Sequence, residues 1–222
     1  MSVDWTALWV TAKLAAWTTG LLLVLALPLA YWLATARRRG KFLVESAVAL
    51  PLVLPPTVLG FYILTATGPN SALGRSIEAL TGGRLPFTFA GILVGSVLFN
   101  VPFAVRPFAA AFAAVDRRLV EASWCLGESR LRTFFRVVVP LAWPGILAGM
   151  VLTFAHTVGE FGVVLMVGGN IPGVTRTLSV AIYDDVQALD YEAAGRTALV
   201  LVGFAFVALC ATHALQRRVP AV

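Results

Sequence analysis

Charge is what this sequence has least of: Asp, Glu, Lys and Arg make up 13% of its 222 residues, against about 25% in an ordinary soluble domain. With 59% of the residues hydrophobic, no water-soluble core of this size could hide the apolar side chains, so the bilayer must act as the solvent. Cysteine is nearly absent. Cys125 sits in a basic stretch and Cys210 in an apolar run; they form no C-x-x-C pair and no disulfide framework. No G-x-x-x-x-G-K-[ST] run occurs, so the chain has no phosphate-binding loop of that type. Intramembrane acid is also scarce. Glu160 is the one strong carboxylate at depth, which argues against an ion-coupled secondary transporter. His156 with Glu160 is too small a set for a metal site or for a membrane enzyme's active centre. The length leaves little room for a soluble catalytic domain, and residues 1–222 read as a single membrane domain.

What is present is a series of long apolar runs. At about 20 residues per spanning helix, five or six fit. The first span covers Leu14 to Ala36, flanked by Trp5, Trp9 and Trp17 at one end and by Tyr31 and Trp32 at the other, as interfacial anchors. It is too long for a secretory signal and reads as a retained span. The second covers Phe42 to Ala66, the third Phe87 to Ala111, the fourth Leu141 to about Gly168, and the fifth Thr197 to Leu215. Trp5 to Val10 leaves room for a sixth, tilted piece before Lys13. Ser71 to Leu80 and Leu178 to Val186 read as short helices between spans.

The net charge of +6 does not point to nucleic acid, because the basic residues lie in the gaps between apolar runs. Arg37, Arg38, Arg39, Lys41, Arg117, Arg118, Arg130, Arg132, Arg136, Arg217 and Arg218 fall on one side, eleven against five on the other (Lys13, Arg75, Arg84, Arg176, Arg196). The positive-inside rule then predicts a cytoplasmic carboxy terminus and an external amino terminus in a multi-pass plasma or inner-membrane protein. Arg106, within the third span, reads as snorkelling to the inner surface.

The longest charged stretch, Asp116 to Arg136, is more than a topology loop. Arg118 to Leu126 has no Gly or Pro, Gly127 suits a φ > 0 helix stop, and Ser129 can cap a second helix. In that helix Leu131, Phe134, Phe135 and Val138 fall on one stripe, and Pro140 is expected to end it. The spacing of Glu121, Ala122, Gly127, Val137, Val139 and Pro140 resembles the cytoplasmic signature of ABC importer permeases. Ser123 stands where that signature has a second alanine. The resemblance implies that Glu121, Ala122, Ser123, Gly127, Val137, Val139 and Pro140 belong to a coupling helix and its return. Such a helix docks on a separate ATPase subunit, which binds ATP and Mg; this chain itself binds no cofactor.

Two intramembrane motifs remain. Leu50 to Gly60 puts Pro51, Pro55 and Pro56 in one span, a break that survives at depth where backbone is buried in protein or lines a pathway. In the fourth span His156, Gly159, Glu160, Phe161 and Gly162 form the second. His156 and Glu160 are spaced i, i+4 and can pair; a carboxylate is a poor ligand for an anion, so Glu160 suits the ordering of a gate. These eight residues are the expected pathway or gate. Together with the Asn170–Thr177 loop they resemble the molybdate permease subfamily of the ABC importers. That resemblance implies an all-helical bundle of about five spans, a homodimer, a pair of ATPase subunits, an external oxyanion-binding protein, and import of molybdate or tungstate. A sulfate or thiosulfate permease is the alternative within the same family.

Overall fold

The computed structural model describes residues 4–217, with side chains to residue 210; Arg218 and the side chain of His213 lie outside the described residues. Every regular element among the described residues is a helix. The first, α1 (Trp5–Thr35), has 31 residues, about 46 Å at 1.5 Å per residue. Asp4 caps it by accepting from Ala7 N–H at 2.9 Å. Trp5 to Val10 is therefore the opening of α1 and not a separate sixth piece before Lys13.

The expected single second span is two helices, α2 (Lys41–Val53) and α3 (Pro56–Thr67), whose axes turn through 109°. The cause is local. A proline disfavours the α conformation in the residue before it, and Leu54 and Pro55 each precede one. Both are extended, with ψ of 136° and 135°. Pro51 lies inside α2 without ending it. Val48 of α2 packs with Val105 and Phe108, whereas Ile63 of α3 packs with Phe99, Val163 and Val167. The pair thus travels along a neighbouring helix as one broken span.

A short amphipathic helix, α4 (Ala72–Thr81), follows, capped by Ser71 and stopped by Gly82 at φ 72°. Next come α5 (Phe89–Ala113), α6 (Arg117–Cys125), α7 (Arg130–Thr133), a π-helical turn over Phe134–Val138, and α8 (Val139–Val158). Pro140 does not end a helix as expected. In the π turn the N–H of Val139 reaches back five residues to Phe134 O, and this wider turn lets the chain carry a proline that an α register would reject. Residues Arg130–Val158 therefore form one run of 29 residues. The chain breaks at Gly159, Glu160 and Phe161, then continues as α9 (Gly162–Gly168), α10 (Leu178–Gln187) and α11 (Tyr191–Arg217).

Among the described residues, four runs are long and apolar enough to cross a bilayer, Trp5–Thr35, Phe89–Ala113, Arg130–Val158 and Tyr191–Cys210, and the bent pair makes a fifth. The bundle of five expected from the sequence is the observed architecture. Its core lies between α1, α5 and α8, where Leu22, Ala26, Phe108 and Ile146 are buried. Small residues bring these helices together, as they must where lipid is as apolar as leucine. A side chain at Gly149 would stand 2.8 Å from the Phe108 ring. Outside the core, Glu45 pairs with Lys41 at 3.3 Å.

Candidate functional site

The stretch between α5 and α8 folds as its local chemistry dictates. Asp116 caps α6 by accepting from Arg118 N–H at 2.9 Å. Gly127 has φ 86°, the left-handed conformation that glycine adopts at least cost. Ser129 then caps α7, accepting from Arg132 N–H. Glu121 is exposed and paired with Arg117 at 2.9 Å; Glu128 holds Arg132 at 3.0 Å and Arg136 at 3.5 Å. Ala122 and Pro140 are exposed, and Val137 and Val139 half-buried. Ser123 is buried, with Oγ 2.9 Å from Thr133 Oγ1, so the residue that departs from the signature pins α6 to α7.

The expected apolar stripe divides in two. Leu131 and Phe135 are exposed, as are Leu119, Trp124 and Leu126, giving the loop an apolar outer face. Val138 is buried, and Phe134 packs edge-on to Tyr31 of α1 with centroids 4.8 Å apart. Phe112 of α5 lies 5.5 Å from the same Tyr31 ring. These three aromatics tie the loop to α1 and α5, and the π turn ties it directly to α8. The aromatic tie was not expected from the sequence; Tyr31, placed there as an interfacial anchor, is a packing residue.

The far end of α8 carries a cleft of about 580 Å³. It is lined by Pro56 and Thr57 at the start of α3, Phe99 of α5, Ala155 and His156 of α8, the break Gly159, Glu160 and Phe161, and Gly162 of α9. The structure thus brings together Pro56, His156, Gly159, Glu160, Phe161 and Gly162 from two motifs a hundred residues apart. Pro51 and Pro55 do not line the cleft, although Pro55 sets the turn that delivers Pro56. A side chain at Gly162 would stand 2.8 Å from Pro56 Cβ, so glycine there allows α9 to meet the first turn of α3. Val163, Val164 and Val167 of α9 are fully buried.

His156 and Glu160 do not bond to each other, because α8 ends at Val158 and the i, i+4 relation no longer holds. Asn100 of α5 stands between them. Its Nδ2 donates to Glu160 Oε2 at 3.0 Å and to Ser96 O at 2.8 Å. Its Oδ1 lies 2.8 Å from His156 Nδ1. Phe103 stacks on the imidazole with centroids 3.7 Å apart. Glu160 is 4% exposed and Asn100 fully buried. Asn100 was not singled out from the sequence, although a carboxamide in mid-span is the kind of residue that signals a polar contact between helices.

The Asn170–Thr177 loop is held by its own hydrogen bonds. Thr175 Oγ1 donates to Gly168 O at 2.7 Å and accepts from Ile171 N–H at 3.1 Å. Arg176 lies 3.5 Å from Asp4 and 3.2 Å from Asp184, joining the start of α1 to α10. Arg106 is exposed on α5, as a snorkelling arginine would be.

Comparison with known proteins agrees with this geometry. The family model described as "Binding-protein-dependent transport system inner membrane component" matches residues 26–219. The chain is 50% identical over 214 residues to the molybdenum transport system permease protein ModB of Azotobacter vinelandii, covering 96% of this chain and 95% of that protein. It is 32% identical over 177 residues to a probable sulfate transport system permease protein of Chlorella vulgaris, covering 80% and 66%. Among solved structures, an inward-facing form of the MetNI methionine ABC transporter gives a TM-score of 0.81 at 18% identity, covering 99% of this chain and all of that one, a likeness of fold. The chain belongs to the inner-membrane components of binding-protein-dependent transport systems.

Proposed function

We propose that this chain is the permease subunit of an ATP-driven importer that moves molybdate, and tungstate as a close analogue, across the inner membrane. The observation that carries the mechanism is the continuous run Arg130–Val158, which has the signature loop at one end and the cleft at the other. The Azotobacter relative, at 50% identity, supports molybdate; the relative named for sulfate transport, at 32%, makes sulfate the second reading.

In this reading two copies of the chain, each a single permease domain, assemble with two ATPase subunits on the cytoplasmic side. The amino terminus is external and the carboxy terminus internal, as the basic loops require. The apolar outer face of α6 and α7 sits on the ATPase. When ATP binding closes the ATPase pair, α6 moves as a rigid piece, because the Ser123–Thr133 contact prevents it from sliding on α7. The displacement passes through the π turn into α8, and through Phe134 to Tyr31 and Phe112 of α1 and α5. At the far end it meets the break at residues 159–161, where the helix can bend. ATP and Mg stay on the partner throughout.

No Arg or Lys is among the residues lining the cleft. A tetrahedral dianion therefore meets no cationic cage there, and tight recognition falls to the external binding protein. A weakly binding path suits release, since a strong intramembrane site would slow exit to the cytoplasm. The test is purification of the tagged chain from cells that express the neighbouring genes. The reading expects a stable complex with an ATPase whose turnover rises when the loaded binding protein is added. A chain that purifies without any ATPase would contradict it.

A further inference from the structure

Asn100 of α5 bonds to its own helix at Ser96 O, to the last turn of α8 at His156 and to the break at Glu160. Ser96 O is a carbonyl and can only accept, so the –NH2 end of the amide faces it. That fixes the rest of the network. The same –NH2 group donates to Glu160 Oε2, and Oδ1 accepts from His156, whose Nδ1 must then carry the hydrogen. Asn100 of α5 thus holds both the carboxyl of a residue in the break and the last turn of α8.

The backbone leaves the α register at Glu160, whose N–H donates to Thr157 O at 3.1 Å in a single turn. Gly159 and Phe161 are non-helical, with φ/ψ of −88°/1° and −125°/−61°. On the far side of the break, α9 is wedged against α3 by Gly162 at Pro56 and by Gly60 at Met166, and against α5 by Gly95 at Val163. α8 on the near side continues to the coupling loop. Bending at the break must change the distance between His156 and Glu160. Asn100 is bonded to both, so it resists that change.

We propose that Asn100 is the positioning residue of the gate: by holding His156 and Glu160 in one fixed relation to α5, it fixes the shape of the break that lines the cleft until α8 is displaced. This rests on the reading of the cleft as the transport path. It adds that the resting state of the gate is set by a residue of α5 and by polar contacts, not by apolar packing alone.

The test is alkylation of a cysteine placed in the cleft, in native membrane vesicles. Gly159→Cys is suitable, because the nearest atom to an added Cβ is 3.8 Å away; Cys125 and Cys210 are replaced by Ser. N-ethylmaleimide is the probe. Asn100→Ala and the isosteric Asn100→Asp, which keeps the acceptor for His156 and loses the donors to Glu160 and to Ser96 O, should each speed alkylation by about tenfold, the effect of removing a buried hydrogen bond. Glu160→Gln, which still offers Asn100 an acceptor, should stay near the parent rate. Adding Glu160→Gln to Asn100→Asp reverses donor and acceptor at this contact alone and should bring the rate part of the way back to the parent, which no loss of packing would do. Unchanged rates in both Asn100 variants, or no recovery in the reversed pair, would overturn the proposal. Failure of the importer reading shows separately, as absence of ATP-driven uptake, and leaves the alkylation comparison intact.

Discussion

Ser123 Oγ lies 2.9 Å from Thr133 Oγ1, and both side chains are buried, at 8% and 2% exposure. The pair bridges the glycine turn at its base, so the two arms of the loop move together. Removing one partner leaves the other without its bond in a buried place. Ser123→Ala should therefore destabilise the protein by about 1–2 kcal/mol, although alanine is the residue that the family signature has at this place. Ser123→Ala with Thr133→Val should recover most of the loss, since neither hydroxyl then remains. Thermal unfolding in detergent reads both. A Ser123→Ala protein as stable as the parent would remove the bridge from the account.

Gly127 offers a cleaner test of coupling. An added Cβ there meets no atom within 4 Å, so any penalty comes from φ 86° alone. Gly127→Val should cost about 1–2 kcal/mol in the turn and sharply reduce the ATPase stimulation produced by loaded binding protein, with insertion unchanged. Gly127→Asn, which tolerates the left-handed region, should keep most of it. Glu121→Lys, which breaks the 2.9 Å pair with Arg117 and reverses the charge on the docking helix, should behave like Gly127→Val. Normal stimulation in both disruptive variants would sink the coupling assignment.

Two glycines of the gate should respond oppositely to the same change. Gly162→Ala places a methyl group 2.8 Å from Pro56 Cβ, whereas at Gly159 the nearest atom is 3.8 Å away. Gly162→Ala should push α9 off α3, cost about 1–3 kcal/mol and lower uptake severalfold; Gly159→Ala should transport normally. Equal uptake by the two variants would mean that the contact between α9 and α3 does not matter to the path.

Orientation is testable with single cysteines at Ser2, Arg38 and Gln216, after Cys125 and Cys210 are replaced. Membrane-impermeant reagent applied to intact cells should modify Ser2→Cys and spare the other two. Modification of Arg38→Cys from outside would refute the assigned sidedness.

Much of this architecture was legible because it depends on local rules. α4 and α10, the Ser129 cap and the positive φ of Gly127 follow from residues within a few positions of each other. The errors arose where a local rule met a non-local or irregular one. Pro140 should stop an α-helix, and it does not because the π turn before it changes the hydrogen-bond register. Three prolines announced a break in the second span, but only the adjacency of Pro55 and Pro56 explains a turn of 109°. His156 and Glu160 would face each other on an unbroken helix; the helix stops at Val158 between them. Asn100, 56 and 60 residues away from its partners, left no periodic trace at all. The cleft's membership was legible as two motifs, and their meeting was not.

Uptake by the reconstituted complex tests the central claim most directly. With permease, ATPase and binding protein in proteoliposomes, radiolabelled molybdate should accumulate only when ATP is present on the ATPase side. Unlabelled tungstate should compete, and sulfate and phosphate at the same concentration should not. Accumulation without ATP would contradict the importer reading, and sulfate competing as well as tungstate would contradict molybdate as the substrate.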